Sequence, residues 1–323
     1  MTLEQVKGNT WVLKSWMVIP LYKIDDRRCI LLDTGLHGQQ QQLEDTLDRN
    51  GLICAGILCS HAHIDHAGSV GYFQRKYGSQ IAMSLGEAAV QATTLGLGLQ
   101  HSCLSPNQVR QDPELSGTEC VADVVIMPRD TQVTLCGVAF DVFHTPGHTV
   151  DHISCRTPDN VLYLGDAIMT GRELYGSKFP FALSIADYLD SLCLLRSIEA
   201  DRYVAAHGGV FPEILSFVDM EIKFLTKRMQ DILDLVEEKT TVIALTRKIC
   251  EVYRIHPHRD SDLSYFERAT RAYIFYLLDR GYLDFRIEDD TMYYCRPEQG
   301  EQKQTVSISI PKPGTFGILE SSL

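Results

Sequence analysis

Cys59-Ser60-His61-Ala62-His63-Ile64-Asp65-His66 sets three imidazoles and a carboxylate within six residues, in the pattern His-x-His-x-Asp-His. The apolar run Gly56-Ile57-Leu58-Cys59 leads into it, and Ala67-Gly68-Ser69 turns away from it. Imidazole and carboxylate are ligands that suit zinc, iron and manganese. Four of them this close together point to a metal site. Surface or capping histidines are the plain alternative. Leu58-Cys59 argues against it, because it reads as the buried end of a strand that opens into the loop carrying the histidines.

One loop does not complete a metal centre, and three further positions fit. His148 follows the apolar run Val138 to Phe143, within His144-Thr145-Pro146-Gly147-His148. Asp166 ends Val161-Leu162-Tyr163-Leu164-Gly165-Asp166, and His207 ends Tyr203-Val204-Ala205-Ala206-His207. Each candidate closes a short β-rich segment and stands beside glycine or a turn, as expected of a site gathered at the mouth of a sheet.

Together these motifs resemble the metallo-β-lactamase-fold hydrolase superfamily, over about residues 10 to 210. The resemblance implies an α+β fold, the four-layered αββα sandwich. It implies a first metal held at His61, His63 and His148 and a second at Asp65, His66 and His207, with Asp166 bridging the two. Asp33, in Leu31-Leu32-Asp33-Thr34-Gly35, matches a structural aspartate that supports the loop. Zinc β-lactamases of the superfamily that bind two metals commonly place a cysteine in the second site. Asp65 and Asp166 stand there instead, which makes antibiotic hydrolysis an unexpected activity. Thr145-Pro146-Gly147-His148-Thr149-Val150-Asp151-His152 brings the chain closer to the thioesterase and phosphodiesterase branches, including glyoxalase II. His63 stands where the flavo-diiron branch has glutamate.

Two divalent ions about 3.5–4 Å apart can share a water and lower its pKa toward neutrality, giving a hydroxide that attacks a carbonyl or phosphorus. Asp65 is the expected catalytic residue, orienting that hydroxide or accepting its proton. Zinc is the expected metal, with iron or manganese as alternatives. There is no Gly-x-Ser-x-Gly elbow to offer a competing nucleophile.

His152 is expected beside the site rather than in it, and His144 is expected to cap or pack. His101, His256 and His258 have no partner spacing and read as ordinary histidines. Substrate-contact candidates are His37, after Asp33-Thr34-Gly35-Leu36, and Arg172, Tyr175 and Lys178, on the loop from Ala167 to Pro180 that leaves Asp166.

The 323 residues allow a two-layered core plus an appendage. A formal net charge of −12 disfavours long-range attraction to nucleic acid or anionic membranes. The amino terminus lacks a basic signal-like region, and no run reaches the roughly 18 apolar residues of a spanning helix. Ten scattered cysteines, with no Cys-x-x-Cys pair, read as reduced thiols. A cytoplasmic protein is expected.

Residues 11 to 34 read as two strands around a turn at Asp25-Asp26-Arg27, with a polar helix over 38 to 50. Helices are expected from Ala67 to Lys76 and from Glu87 to Leu97, around a strand at Ile81-Ala82-Met83. Residues 98 to 128 read as an irregular, lid-like loop. Strands resume from Thr131 to Cys155 and at Val161 to Leu164. These fill a catalytic domain over 1–211. Over 212–296 the periodicity predicts helices at 212–239, Thr241–Tyr253 and Leu263–Arg280, then a hairpin around Glu288-Asp289-Asp290. That order resembles a winged helix. Residues 213 to 323 carry 19 acidic and 15 basic side chains, so nucleic acid is not the expected partner. The module is expected to pack against the active-site mouth or to mediate a homodimer. Residues 297–323 read as a tail, in which Thr305 to Ile310 alternate like an edge strand.

The leading expectation is a metal-dependent hydrolase of a small acyl compound: a thioester, ester or lactone. The alternatives are a phosphodiesterase or endoribonuclease using the same dinuclear site, and a non-catalytic metal-binding sensor.

Overall fold

The computed structural model describes residues 1–101, 105–298 and 305–308. A seven-stranded sheet runs in chain order: β1 (Thr2–Lys7), β2 (Thr10–Lys14), β3 (Val18–Lys23), β4 (Arg28–Leu32), β5 (Ile53–Leu58), β6 (Gln80–Ser84) and β7 (Val124–Ile126). The first four strands pair antiparallel and the last four parallel. Parallel strands need crossovers. These are α1 (Gln40–Arg49) before β5, α2 (Ile64–Ala67) and α3 (Val70–Tyr77) before β6, and α4 (Leu85–Gln91), α5 (Thr94–Gln100) and α6 (Pro106–Gln111) before β7.

The second sheet has six strands, in the order β13 (Gly209–Phe211), β12 (Arg202–Ala205), β11 (Val161–Tyr163), β10 (Ile153–Arg156), β9 (Val138–His144), β8 (Gln132–Leu135). The alternation of side chains along a strand explains its position. Val161, Tyr163, Val204 and Ala206 join the core shared with β3, β4 and β5. Leu162, Leu164, Tyr203 and Ala205 point to the opposite face and join the helical core. Val18 N–H donates to Ala206 O at 2.6 Å, tying the sheets beside His207.

That helical core contains α8 (Ile185–Leu195), α9 (Leu215–Leu235), α10 (Val242–Tyr253) and α11 (Asp260–Asp279). It runs without a break from Leu162 to Val306, so the helices after residue 211 share their interior with the second sheet. A two-stranded hairpin, β14 (Asp284–Glu288) and β15 (Thr291–Cys295), follows. No described helix is long and apolar enough to cross a membrane.

The αββα sandwich is thus present, with local differences from the sequence reading. β1 and β2 extend the first sheet, so residues 11 to 34 hold three strands rather than two. Residues 98 to 128 include α6 and β7, and the loop after Asp166 contains α7 (Gly171–Ser177). α7 starts because Thr170 and Glu173 form a reciprocal cap. Residues 305–308 form no strand: Val306 is buried, and its N–H donates to Gln230 Oε1 of α9 at 2.8 Å. Residues 309 and 310 of that expected strand lie outside the described residues.

One buried acid links the helices to the site. Glu221 of α9 accepts Met169 N–H at 2.9 Å and Tyr188 Oη–H at 2.7 Å. Burial pushes its carboxyl up to about 8. The folded protein therefore holds this proton more tightly than the unfolded chain does. The stability it contributes is full below pH about 4.5 and declines as pH rises toward about 8. Glu221→Gln removes the titration and keeps the shape. Chemical denaturation across this pH range should show the wild type losing roughly 1–4 kcal/mol relative to the variant; parallel curves would refute the assignment.

Candidate metal centre

Every expected ligand stands at the end of a strand or on the turn beyond it. β5 ends at Leu58, and His61 and His63 follow on an extended loop. Asp65 and His66 then fall on α2, whose first turn positions them together. β9 leads to His148, β11 to Asp166 and β12 to His207. The turn into Asp166 requires Gly165: its φ is +53°, and a Cβ would lie 2.6 Å from His152 Nε2 and 2.8 Å from Ser60.

Two ligand sets emerge. His61, His63, His148 and Asp166 form one, and Asp65, His66, Asp166 and His207 the other, each with donor atoms within 4.8 Å of one another. His63 Nδ1 lies 3.0 Å from His61 Nε2 and 2.9 Å from His148 Nε2. Asp166 belongs to both sets through different atoms. Its Oδ2 is 3.3 Å from His148 Nε2, and its Oδ1 is 3.2 Å from His66 Nε2 and 3.6 Å from His207 Nε2. Asp65 Oδ2 is 3.2 Å from His207 Nε2.

The electrostatics fit metal ions. Burial, reinforced by neighbouring imidazoles, holds His61 and His63 well below the usual range; burial also lowers His148. They are neutral and ready to ligate. Burial opposes the charged form of His66, but Asp166, Asp65 and Asp33 outweigh it and raise that ring. The carboxylate side of the site therefore calls for positive charge. His66 Nε2 is buried and makes no hydrogen bond among the described residues, since nearby Asp166 Oδ1 is not aligned for one. An orphaned imidazole nitrogen facing carboxylates suits a cation.

The supporting groups fix orientation. Asp33 accepts from Ser60 N–H at 2.7 Å, Ser60 Oγ–H at 2.6 Å, His66 Nδ1–H at 2.7 Å and Tyr163 Oη–H at 2.5 Å. It occupies one nitrogen of His66 and leaves the other facing the cluster. His61 Nδ1–H donates to Ser60 Oγ at 2.9 Å with the same result. His152 accepts Asp166 N–H on Nε2 at 3.0 Å and donates from Nδ1 to Thr145 Oγ1 at 2.8 Å. His144 lies at the periphery against Asp130 O. Glu87, on α4, was not singled out in the sequence. It is buried and accepts Ala62 N–H at 2.8 Å and Asp151 N–H at 3.0 Å, clamping the two histidine loops together. Its only sequence signal is an acid in a helix's first turn.

The cleft over the cluster measures about 310 Å³ and is lined by Asp65, Asp166, Met169, Glu173, Phe181 and Tyr265, among others. The structure does not bring the four expected substrate contacts to it. α7 turns Glu173 and buried Leu174 inward and leaves Arg172 and Tyr175 exposed. Tyr175 packs edge-on against Phe224 at 5.6 Å. Lys178 donates to Arg254 O at 3.1 Å, and His37 Nδ1 lies 3.2 Å from Gly68 O. His101, read as an ordinary histidine, instead stands 5.8 Å from the His63 ring. Spacing could not show this, because His101 reaches the mouth through the fold of α4 and α5.

A sheet-edge cluster of imidazoles with a shared carboxylate is the arrangement of a metallo-hydrolase. The family model for the metallo-beta-lactamase superfamily matches residues 9–207, and the chain belongs to that superfamily. A beta-lactamase-like protein 2 homolog of Drosophila melanogaster is 27% identical over 212 residues, 64% of this chain and 63% of the relative. The chain thus spans less than two thirds of the length of the first curated relatives it matches. A hydroxyacylglutathione hydrolase of Pseudoalteromonas translucida is 25% identical over 70% of this chain and 75% of its own. A beta-lactamase domain protein from Burkholderia ambifaria shares the fold, with a TM-score of 0.67 at 16% identity over 91% of this chain and 93% of its own. Superfamily membership implies binding of divalent metal.

Asp33→Ala should leave His66 Nδ1 without its acceptor and weaken metal retention roughly 10- to 100-fold. Competition with a chromogenic chelator measures this, and unchanged retention would remove Asp33 from the supporting role.

Proposed function

We infer that this chain is a metallo-hydrolase of a small acyl compound, a thioester, ester or lactone, with a dinuclear centre. The observation that carries this reading is Asp166, whose two carboxylate oxygens face separate ligand sets. His61, His63 and His148 would hold one ion, Asp65, His66 and His207 the other, and Asp166 both. Zinc suits the imidazole-rich first set; iron or manganese suits the oxygen-richer second. Bound ions supply Lewis acidity and a water acidic enough to ionise near neutrality.

The chain's own groups do the rest. Burial works to raise Asp65, but His66 and His207 outweigh it and hold it ionised. Asp65 lines the cleft, so it is placed to accept a proton from the attacking water. Glu87, His152 and Asp33 hold the ligand loops, so donor positions need little reorganisation when substrate enters. The named hydroxyacylglutathione hydrolases among the relatives support acyl chemistry. The tip of the β14–β15 hairpin carries Glu288 at the end of β14 and Asp289 and Asp290 in the turn, a poor surface for phosphate backbones.

The test is hydrolysis by metal-loaded protein of matched thioester, ester, lactone and phosphodiester panels. Asp65→Ala and His61→Ala should each reduce acyl turnover to the uncatalysed rate and lower metal content. Full activity in either variant would refute the centre, and turnover confined to phosphodiesters would replace the acyl reading.

A further inference from the structure

A second cavity of about 530 Å³ opens beside the metal cleft, and His63, Asp65, Phe181 and Tyr265 line both. Its far wall comes from α11, more than fifty residues beyond the last expected ligand. Phe181 is the meeting point. Its ring lies 6.5 Å from the His63 ring and 6.3 Å from the His148 ring, and Tyr265 stacks on it at 4.9 Å. Phe266 meets Tyr265 edge-on at 5.2 Å. The result is a stacked aromatic pair, continued edge-on by Phe266, that borders both cavities.

Beside that pair stands Arg268, its guanidinium 5.5 Å from the Phe181 ring centre. Its two hydrogen bonds go to Leu99 O and Gln100 O, and both leave from Nη1. Nε and Nη2 have no protein partner among the described residues, and no carboxylate pairs with this cation there. Of the two acids lining the cavity, Asp65 belongs to the candidate metal cluster and Asp262 is engaged by Arg259, at 2.9 and 3.1 Å. His101 adds a buried Nε2 that lacks a partner among the described residues. Burial lowers this ring to about 4, so it is neutral near pH 7. Unpaired donors at a cavity wall await a ligand, since a guanidinium forms its strongest bonds with carboxylate or phosphate.

We propose that α11 supplies the selecting half of the active site: the substrate carries a carboxylate that Arg268 binds, joined to the scissile carbonyl by a flat apolar segment lying against Phe181 and Tyr265. This rests on the acyl-hydrolase reading for the position of the carbonyl. It narrows that reading to carboxylate-bearing substrates with an aryl or unsaturated spacer.

The test separates recognition from turnover. Metal-loaded full-length protein is titrated with 4-(mercaptomethyl)benzoate and with its carboxamide; the thiolate anchors both at the metals. Wild type should bind the carboxylate roughly ten- to a hundredfold more tightly than the amide. Arg268→Gln should bring the two affinities together without weakening the amide, and Arg268→Lys should retain part of the difference. Equal affinities in the wild type, or a preference that survives Arg268→Gln, would overturn the proposal. Should the Gln variant not fold, the wild-type ratio and the Lys variant decide alone. A preserved carboxylate preference in a protein that hydrolyses no acyl compound would refute the acyl reading and leave the anion subsite standing. Acyl turnover with no preference would do the reverse.

Discussion

The buried carboxylate of Asp33 is the interaction on which the remaining architecture depends. It stands one residue past β4, in the left-handed region at φ 66°, where a non-glycine residue is strained. The strain persists because its oxygens are committed in several directions. Ser60 ties it to the metal loop, His66 to the ligand helix and Tyr163 to the second sheet. A carboxylate without these donors could not remain buried. Two sheets and the histidine loop thus meet at one residue that does not itself face the cluster's open side.

The same logic recurs at each ligand loop. Glu87 clamps the loops of His63 and His148, His152 fixes the backbone at Asp166, and Glu221 holds the segment that follows. Glu87 and Glu221 are acids raised by burial, and His152 is an imidazole lowered by it. In every case burial works against the charged form, and the hydrogen bonds these groups make are what give them direction. Asp65 and Asp166 are the carboxylates that face the imidazole cluster, where the proposed function places cations.

What was legible in the chain follows from this construction. Strand ends announce themselves by an apolar run broken at a polar residue, so His61, His63, Asp65, His66, His148, Asp166 and His207 could be read in order. Asp33, too, sits at such an end. Clamps on helices give no such signal: Glu87 and Glu221 lie in amphipathic patterns where acids usually face solvent. Nearness in sequence misled at Arg172, Tyr175 and Lys178, because α7 sends them away from the cleft within a single turn. Tyr265 and Arg268 were invisible for the opposite reason. Their helix reads as an ordinary core-packing segment, and only tertiary packing brings it over His63.

The chain's net charge of −12 opposes the long-range approach of an anionic substrate. Range resolves the conflict. Exposed charges are screened over about 8 Å at physiological ionic strength, so the acidic surface sets encounter rates more than binding energy. In the cleft beside Phe181, Phe266 and Tyr265 the half-buried Arg268 acts at hydrogen-bonding distance, where a charge-assisted bond to a carboxylate outweighs screened surface charge. An acidic exterior is therefore compatible with the proposed selection, by Arg268, among small anions that have entered.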